Sequence, residues 1–179
     1  MIWGVSSAGR ASALHAEGHR FDPVTLHHLF RGDSMIKYVF IDMDNTIAEN
    51  STCMNIEFYK GLYANKRPIK IVIDAILNLY SDCSFIILSK TDGGEDGKKE
   101  KLEWLSKYFP YTDTIILIDV LERKRDYIED FLFINCIDAS ECLLVDDKKS
   151  ILQDCSTLGI SVKYPQQLIC DYEYADLAQ

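Results

Sequence analysis

The chain has 179 residues and a formal net charge of −9, with 47% hydrophobic and 26% charged residues, which suits one soluble globular domain with a sizeable core. No apolar run approaches the roughly 20 residues of a membrane-spanning helix, so no membrane partner is expected. The acidic balance argues against nucleic acid as a partner, but not against an anionic substrate held by a local metal ion and a few lysines. The six cysteines are scattered and form no Cys-x-x-Cys pair, so free thiols in a reducing, cytoplasmic setting are the expectation.

Residues 1–34 differ from the rest. They hold all four histidines (His15, His19, His27, His28) and show no sustained period of 2 or 3.6. Ser7-Ala8-Gly9-Arg10-Ala11 and Arg20-Phe21-Asp22-Pro23 back-translate into strings resembling the D-arm and T-arm of a transfer-RNA gene. The expectation is that 1–34 is a non-native or disordered extension and that the domain is 35–179, starting at Met35. No histidine then remains in the domain, and acid–base chemistry near neutral pH falls to carboxylates, lysines or metal-bound water.

From Met35 onward strands and helices alternate. Tyr38–Ile41 is a short apolar run of the kind that a two-sided parallel sheet buries, and it ends abruptly in Asp42-Met43-Asp44-Asn45-Thr46. Residues 47–67 read as a loop followed by a short helix, a flap or very small cap. Pro68 opens a helix from its first position, and Ile69, Val72, Ile73, Ile76 and Tyr80 mark its apolar face. A second strand over 85–88 is followed at once by Ser89, Lys90 and Thr91, then by a loop over 91–97 with three glycines. The next helix runs over about 98–109, with Leu102, Leu105 and Phe109 on one face and Pro110 at its end. A third strand over 114–118 leads through the charged link Glu122-Arg123-Lys124-Arg125-Asp126 into a helix carrying Tyr127, Ile128, Phe131 and Leu132. Cys142–Val145 is a fourth strand and ends in Asp146-Asp147. A helix with Ile151, Cys155 and Leu158 stops at Gly159, a fifth strand covers 160–162, and no element is predicted after Pro165.

This alternation predicts an α/β, three-layer Rossmann-like fold with a five-stranded parallel sheet and helices on both faces. Right-handed crossovers place every strand's C-terminal end on one edge, where open α/β sheets bind ligands. Asp42 and Asp44, Ser89, Lys124, and Asp146 and Asp147 all fall at or just past strand ends. Four carboxylates at one edge repel one another, and oxygen-only ligands suit a hard cation, Mg2+ above all. Asp42 is then the candidate nucleophile, forming an aspartyl phosphate, and Asp44 the candidate general acid and base. Ser89 and nearby backbone N–H groups can hold phosphoryl oxygens, and Lys124 can neutralise their charge. Each residue alone has an ordinary reading as a loop, cap or solvated-face residue. The order of all four clusters along the chain carries the argument.

Asp42-Met43-Asp44-Asn45-Thr46, Leu88-Ser89, Lys124 and Val145-Asp146-Asp147 resemble, in order, the four motifs of the haloacid dehalogenase (HAD) superfamily, across about residues 38–162. The resemblance implies a HAD-type fold with a minimal cap. It implies metal ligation by the Asp42 side chain, the Asp44 backbone carbonyl and one of Asp146 or Asp147. Ile151 and Leu152 stand where the family often has a further Asp, so the chain is of the double-Asp type. Aspartate at position 44 favours phosphatase over dehalogenase chemistry. Lys101-Leu102-Glu103-Trp104 through Pro110 resembles the segment after the second motif in 5'(3')-deoxyribonucleotidase-like members, where a lysine three residues before the Trp can approach the phosphate. Thr46, Ser89, Lys90, Lys101 and Lys124 are accordingly the candidates for binding substrate phosphate. Those nucleotidases insert a sizeable helical cap, whereas here only 47–67 is available. The function implied is Mg2+-dependent hydrolysis of a small phosphorylated metabolite, with nucleoside monophosphates among the candidates. The alternatives are an open-site phosphatase acting on a macromolecular or polynucleotide phosphate, and a catalytically weak HAD domain used as a binding module. A homo-oligomer that completes the cap is a further expectation.

Overall fold

The computed structural model describes residues 36–50, 61, 63–92 and 94–177. The expectation for 1–34, and most of the short helix expected within 47–67, lie outside the described residues. The elements in chain order are β1 (Tyr38–Ile41), α1 (Lys70–Leu79), β2 (Ser84–Thr91), α2 (Gly94–Tyr108), β3 (Thr114–Asp119), α3 (Lys124–Asn135), β4 (Cys142–Val145), α4 (Lys149–Ser156), β5 (Ser161–Lys163) and α5 (Pro165–Leu177). The strands form one sheet in the order β3-β2-β1-β4-β5, and every pairing is parallel. This is the three-layer α/β fold that the alternation of strands and helices predicts.

Side chains alternate across the sheet with a period of two. Val39, Ile41, Phe85, Ile87, Leu143 and Val145 pack against α1, α2 and α5. Phe40, Ile86, Leu88, Cys142 and Leu144 face the other way, against α3 and α4. β1 lies between β2 and β4 and is buried on both faces, which is why its sequence is continuously apolar. Each such side chain contributes about 1.5–3 kcal/mol by leaving water.

Four local expectations are corrected. Pro68 precedes the first helical residue, Lys70, by two positions rather than opening the helix. It is taken up instead in an antiparallel bridge with Ala48, and the Ile69 N–H bonds to the Ile47 carbonyl at 2.8 Å. β2 continues to Thr91, so Ser89 lies inside the strand, because the ladder with β3 pairs Ser89, Lys90 and Thr91 with Leu117, Ile118 and Asp119. α2 begins at Gly94, within the stretch expected to be loop. Gly97 permits this: a Cβ there would lie 2.0 Å from the Asp92 carbonyl oxygen. The buried face of α2 is Gly97, Lys101, Trp104 and Leu105, while Leu102, expected inside, is 44% exposed.

A further difference is α5, which has no counterpart in the sequence reading. Pro165 stands at its first position, and Leu168, Ile169 and Tyr172 pack on the same core as α1. The proline and that apolar spacing were its available signals. The described cysteines, Cys83, Cys136, Cys142, Cys155 and Cys170, are free thiols, and Cys53 lies outside the described residues. Among the described residues no helix is long and apolar enough to cross a membrane.

Candidate active site

The chain leaves β1 in a tight turn. The Met43 carbonyl accepts the N–H groups of Thr46, Ile47 and Ala48, and the Asn45 N–H bonds back to the Ala48 carbonyl. Asn45 has φ 62°, a left-handed conformation that asparagine tolerates well. Asp42 and Asp44 are therefore held on a rigid loop but in different surroundings.

Asp42 faces α3 and β4. Lys124, the first residue of α3, donates to Asp42 Oδ1 at 2.5 Å and to Asp146 Oδ2 at 2.7 Å. Although it sits in a charge run, Lys124 is buried. Burial works against its ammonium, but Asp42 and Asp146 outweigh it and raise the pKa. Asp146 Oδ1 accepts the Lys148 N–H at 2.8 Å, at the entry to α4. Burial and the charge of Asp42 push the carboxyls of Asp146 and Asp147 upward. The Oδ1 atom of Asp147 is buried with no hydrogen-bond partner. Asp42, Asp146 and Asp147 offer oxygens that all lie within 4.8 Å of one another. One ammonium facing three carboxylates leaves excess negative charge, and the orphaned Asp147 oxygen is an open ligand. The set fits a hard divalent cation. The Asp44 side chain is not part of it.

Asp44 lies between two lysines. Lys101, fully buried rather than solvated, donates to Asp44 Oδ2 at 2.5 Å, to Ser89 Oγ at 2.9 Å and to the Lys90 carbonyl at 2.5 Å. Lys66 binds the other Asp44 oxygen, Oδ1. Burial alone would push the Asp44 carboxyl up, but the two ammonium groups hold it below the usual carboxylate range. Burial lowers the pKa of Lys101 despite Asp44. The ring of Tyr63 lies 4.7 Å from the Lys101 ammonium and 4.8 Å from that of Lys66. Burial and the Asp44 charge push the Tyr63 hydroxyl up to about 12.

The structure thus brings together Asp42, Asp44, Ser89, Lys101, Lys124, Asp146 and Asp147. Thr46 is buried beside them and its Oγ1 has no partner. Lys90 contributes its carbonyl only; its ammonium donates to the Val120 carbonyl at 2.8 Å. The sequence reading missed Lys66, Tyr63 and Glu100. Lys66 was concealed in the polar 47–67 stretch. Glu100 precedes Lys101 and stands four residues before Trp104, so all three cluster on one side of α2, and that helical spacing was the available signal.

No protein-family model matches the chain, and no curated protein matches it. Solved structures do. A haloacid dehalogenase-like family hydrolase from Streptococcus pneumoniae is 15% identical, over 78% of this chain and 92% of that one, with a TM-score of 0.55. A HAD family enzyme from Bacteroides thetaiotaomicron, in complex with magnesium and inorganic phosphate, is 16% identical over 72% and 93%, with a TM-score of 0.53. The N-terminal part of a Bacteroides fragilis protein, containing a phosphatase domain complexed with Mg, is 15% identical over 86% of this chain and 43% of that one, with a TM-score of 0.52. At these identities the likeness is one of fold: the chain has the fold of the HAD-like hydrolases.

Proposed function

We propose that the protein is a Mg2+-dependent phosphomonoester hydrolase of the HAD superfamily. The observation that carries this reading is the separation of two neighbouring carboxylates into two electrostatic settings. Asp42 faces Lys124 and the acidic cluster, and Asp44 sits between Lys66 and Lys101. A nucleophile and a proton carrier need that difference.

The Asp42 side chain with Asp146 and Asp147, helped by the Asp44 carbonyl, would hold the Mg2+. A bound Mg2+ supplies positive charge that polarises the phosphoryl group and offsets the acidic cluster. Asp42 attacks phosphorus and forms an aspartyl phosphate, while the P–O bond to the leaving alcohol breaks. Asp44 gives that alcohol its proton and then takes one from the water that cleaves the acyl phosphate. The ammonium pair keeps Asp44 ionised while the site is empty, and the negative charge of an incoming phosphate dianion raises its proton affinity. Ser89 Oγ and the backbone N–H groups after β1 hold the phosphoryl oxygens, and Lys124 neutralises charge developing on them.

The substrate class is a small phosphorylated metabolite. Support for a nucleotidase-like type comes from Lys101, which reaches both Asp44 and Ser89 from the helix that carries Trp104. The test is a hydrolysis panel in Mg2+ containing an aryl phosphate and nucleoside monophosphates. Asp42→Asn should abolish turnover and leave the circular dichroism spectrum unchanged. Full activity in that variant removes the covalent mechanism, and a wild-type protein inert across the panel overturns the phosphatase reading.

A further inference from the structure

Lys66 enters the mechanism above only as a charge beside Asp44, yet its side chain is only 5% exposed and its ammonium lies in the site. The backbone that presents it is fastened to α2. The Glu100 carboxylate accepts the N–H of Gly61 at 2.5 Å and that of Tyr63 at 3.1 Å. Trp104 Nε1 donates to the Lys66 carbonyl at 2.9 Å. On its other side the Glu49 N–H bonds to the Arg67 carbonyl at 2.8 Å. The ammonium is therefore delivered by a fixed frame and not by a free surface side chain.

An ammonium has three donors. Lys101 has all three engaged, by Asp44, Ser89 and the Lys90 carbonyl. Among the described residues Lys66 has one acceptor, Asp44, and otherwise faces the Tyr63 ring. Among the described residues two cations whose side chains are at most 5% exposed also share the one carboxylate of Asp44, so positive charge exceeds negative on this side of the site. Unpaired buried charge is strongly unfavourable. Tyr63 does not supply the missing anion, because its hydroxyl stays neutral until far above neutral pH. Among the described residues this side of the site lacks one anion, and Lys66 holds the donors to receive it.

We propose that Lys66 is a substrate-binding residue that donates to an oxygen of the phosphate dianion on the Asp44 side of the site, while Lys101 is a positioning residue that fixes Asp44 and Ser89. The proposal rests on the phosphomonoesterase reading and reassigns the phosphate contact that the sequence placed on Lys101. Lys66 keeps one N–H on Asp44 and offers the others to phosphate, whether free or esterified.

The test is calorimetric titration of inorganic phosphate into the full chain in the presence of Mg2+, with steady-state kinetics alongside. Lys66→Met should weaken phosphate binding by about 10- to 100-fold, the loss of one hydrogen bond to a charged group. It should raise KM more than it lowers kcat. Lys66→Arg should recover most of the affinity, and Lys101→Met should lower kcat more than it changes KM. Lys66→Gln, which keeps polarity and removes charge, serves if the Met variant melts early. A folded Met or Gln variant that binds phosphate as the wild type does overturns the proposal, and so does a wild type that binds no phosphate. If the wild type binds phosphate but hydrolyses no ester, the enzymatic reading fails while the affinities still decide the role of Lys66.

Discussion

Replacing Lys124 by Met tests the electrostatic account of the site most directly. Its ammonium bridges Asp42 and Asp146, and all three side chains are buried. Removing it leaves two carboxylates facing each other beside Asp147, without the ammonium that bridges them. Breaking a buried ion pair in this way costs about 3–5 kcal/mol, a large part of a domain's stability. With a urea m-value of about 2 kcal/mol/M, the unfolding midpoint measured in chelator should fall by about 2 M. The deficit should grow with pH. The carboxyl of Asp146 already lies above its ordinary range, so the folded state holds a proton that the unfolded state releases, and stability falls as pH rises from the usual carboxylate range through the raised value. Mg2+ should restore stability by about 2.7 kcal/mol at a hundred times its Kd. A midpoint shift under about 0.5 M, or no response to Mg2+, would refute the reasoning.

Two further perturbations probe the frame around the site. Gly97→Ala places a Cβ 2.0 Å from the Asp92 carbonyl oxygen, so the backbone at the start of α2 must move. The expected loss is about 1–3 kcal/mol, or roughly 4–10 °C in Tm by thermal melt, with a fall in kcat because α2 carries Lys101. An unchanged Tm would contradict the close packing. Tyr63→Phe removes a hydroxyl whose pKa is raised from 10.0 to about 12 in the folded state. A raised folded pKa gives stability that is complete below pH 10 and lost as pH rises toward 12, up to about 2.7 kcal/mol. Urea midpoints measured across that range should fall more steeply for the wild type than for the Phe variant, and coincident curves would show that Tyr63 ionises as freely as in the unfolded chain.

Local patterning was enough for much of this protein. Continuous apolar runs at 38–41 and 142–145 are strands because only a sheet covered on both sides buries every residue of such a run. Their parallel arrangement by itself carries Asp42, Ser89, Lys124 and Asp146 to one edge. Patterning failed where a residue's environment is set by partners far along the chain. Lys101 is a charged helix residue, and its burial is explained by partners outside its helix: Asp44, 57 positions away, Ser89 and the Lys90 carbonyl. Lys124 is in the same position with respect to Asp42, 82 residues away. β2 runs past Ser89 because β3 is there to receive its hydrogen bonds. Lys66 joins the site because Glu100 and Trp104 hold its turn. Hydrophobic burial is a property of each residue and its period, and it can be read in one dimension. The burial of an ammonium or a carboxylate depends on which opposite charge meets it, and only the folded chain decides that.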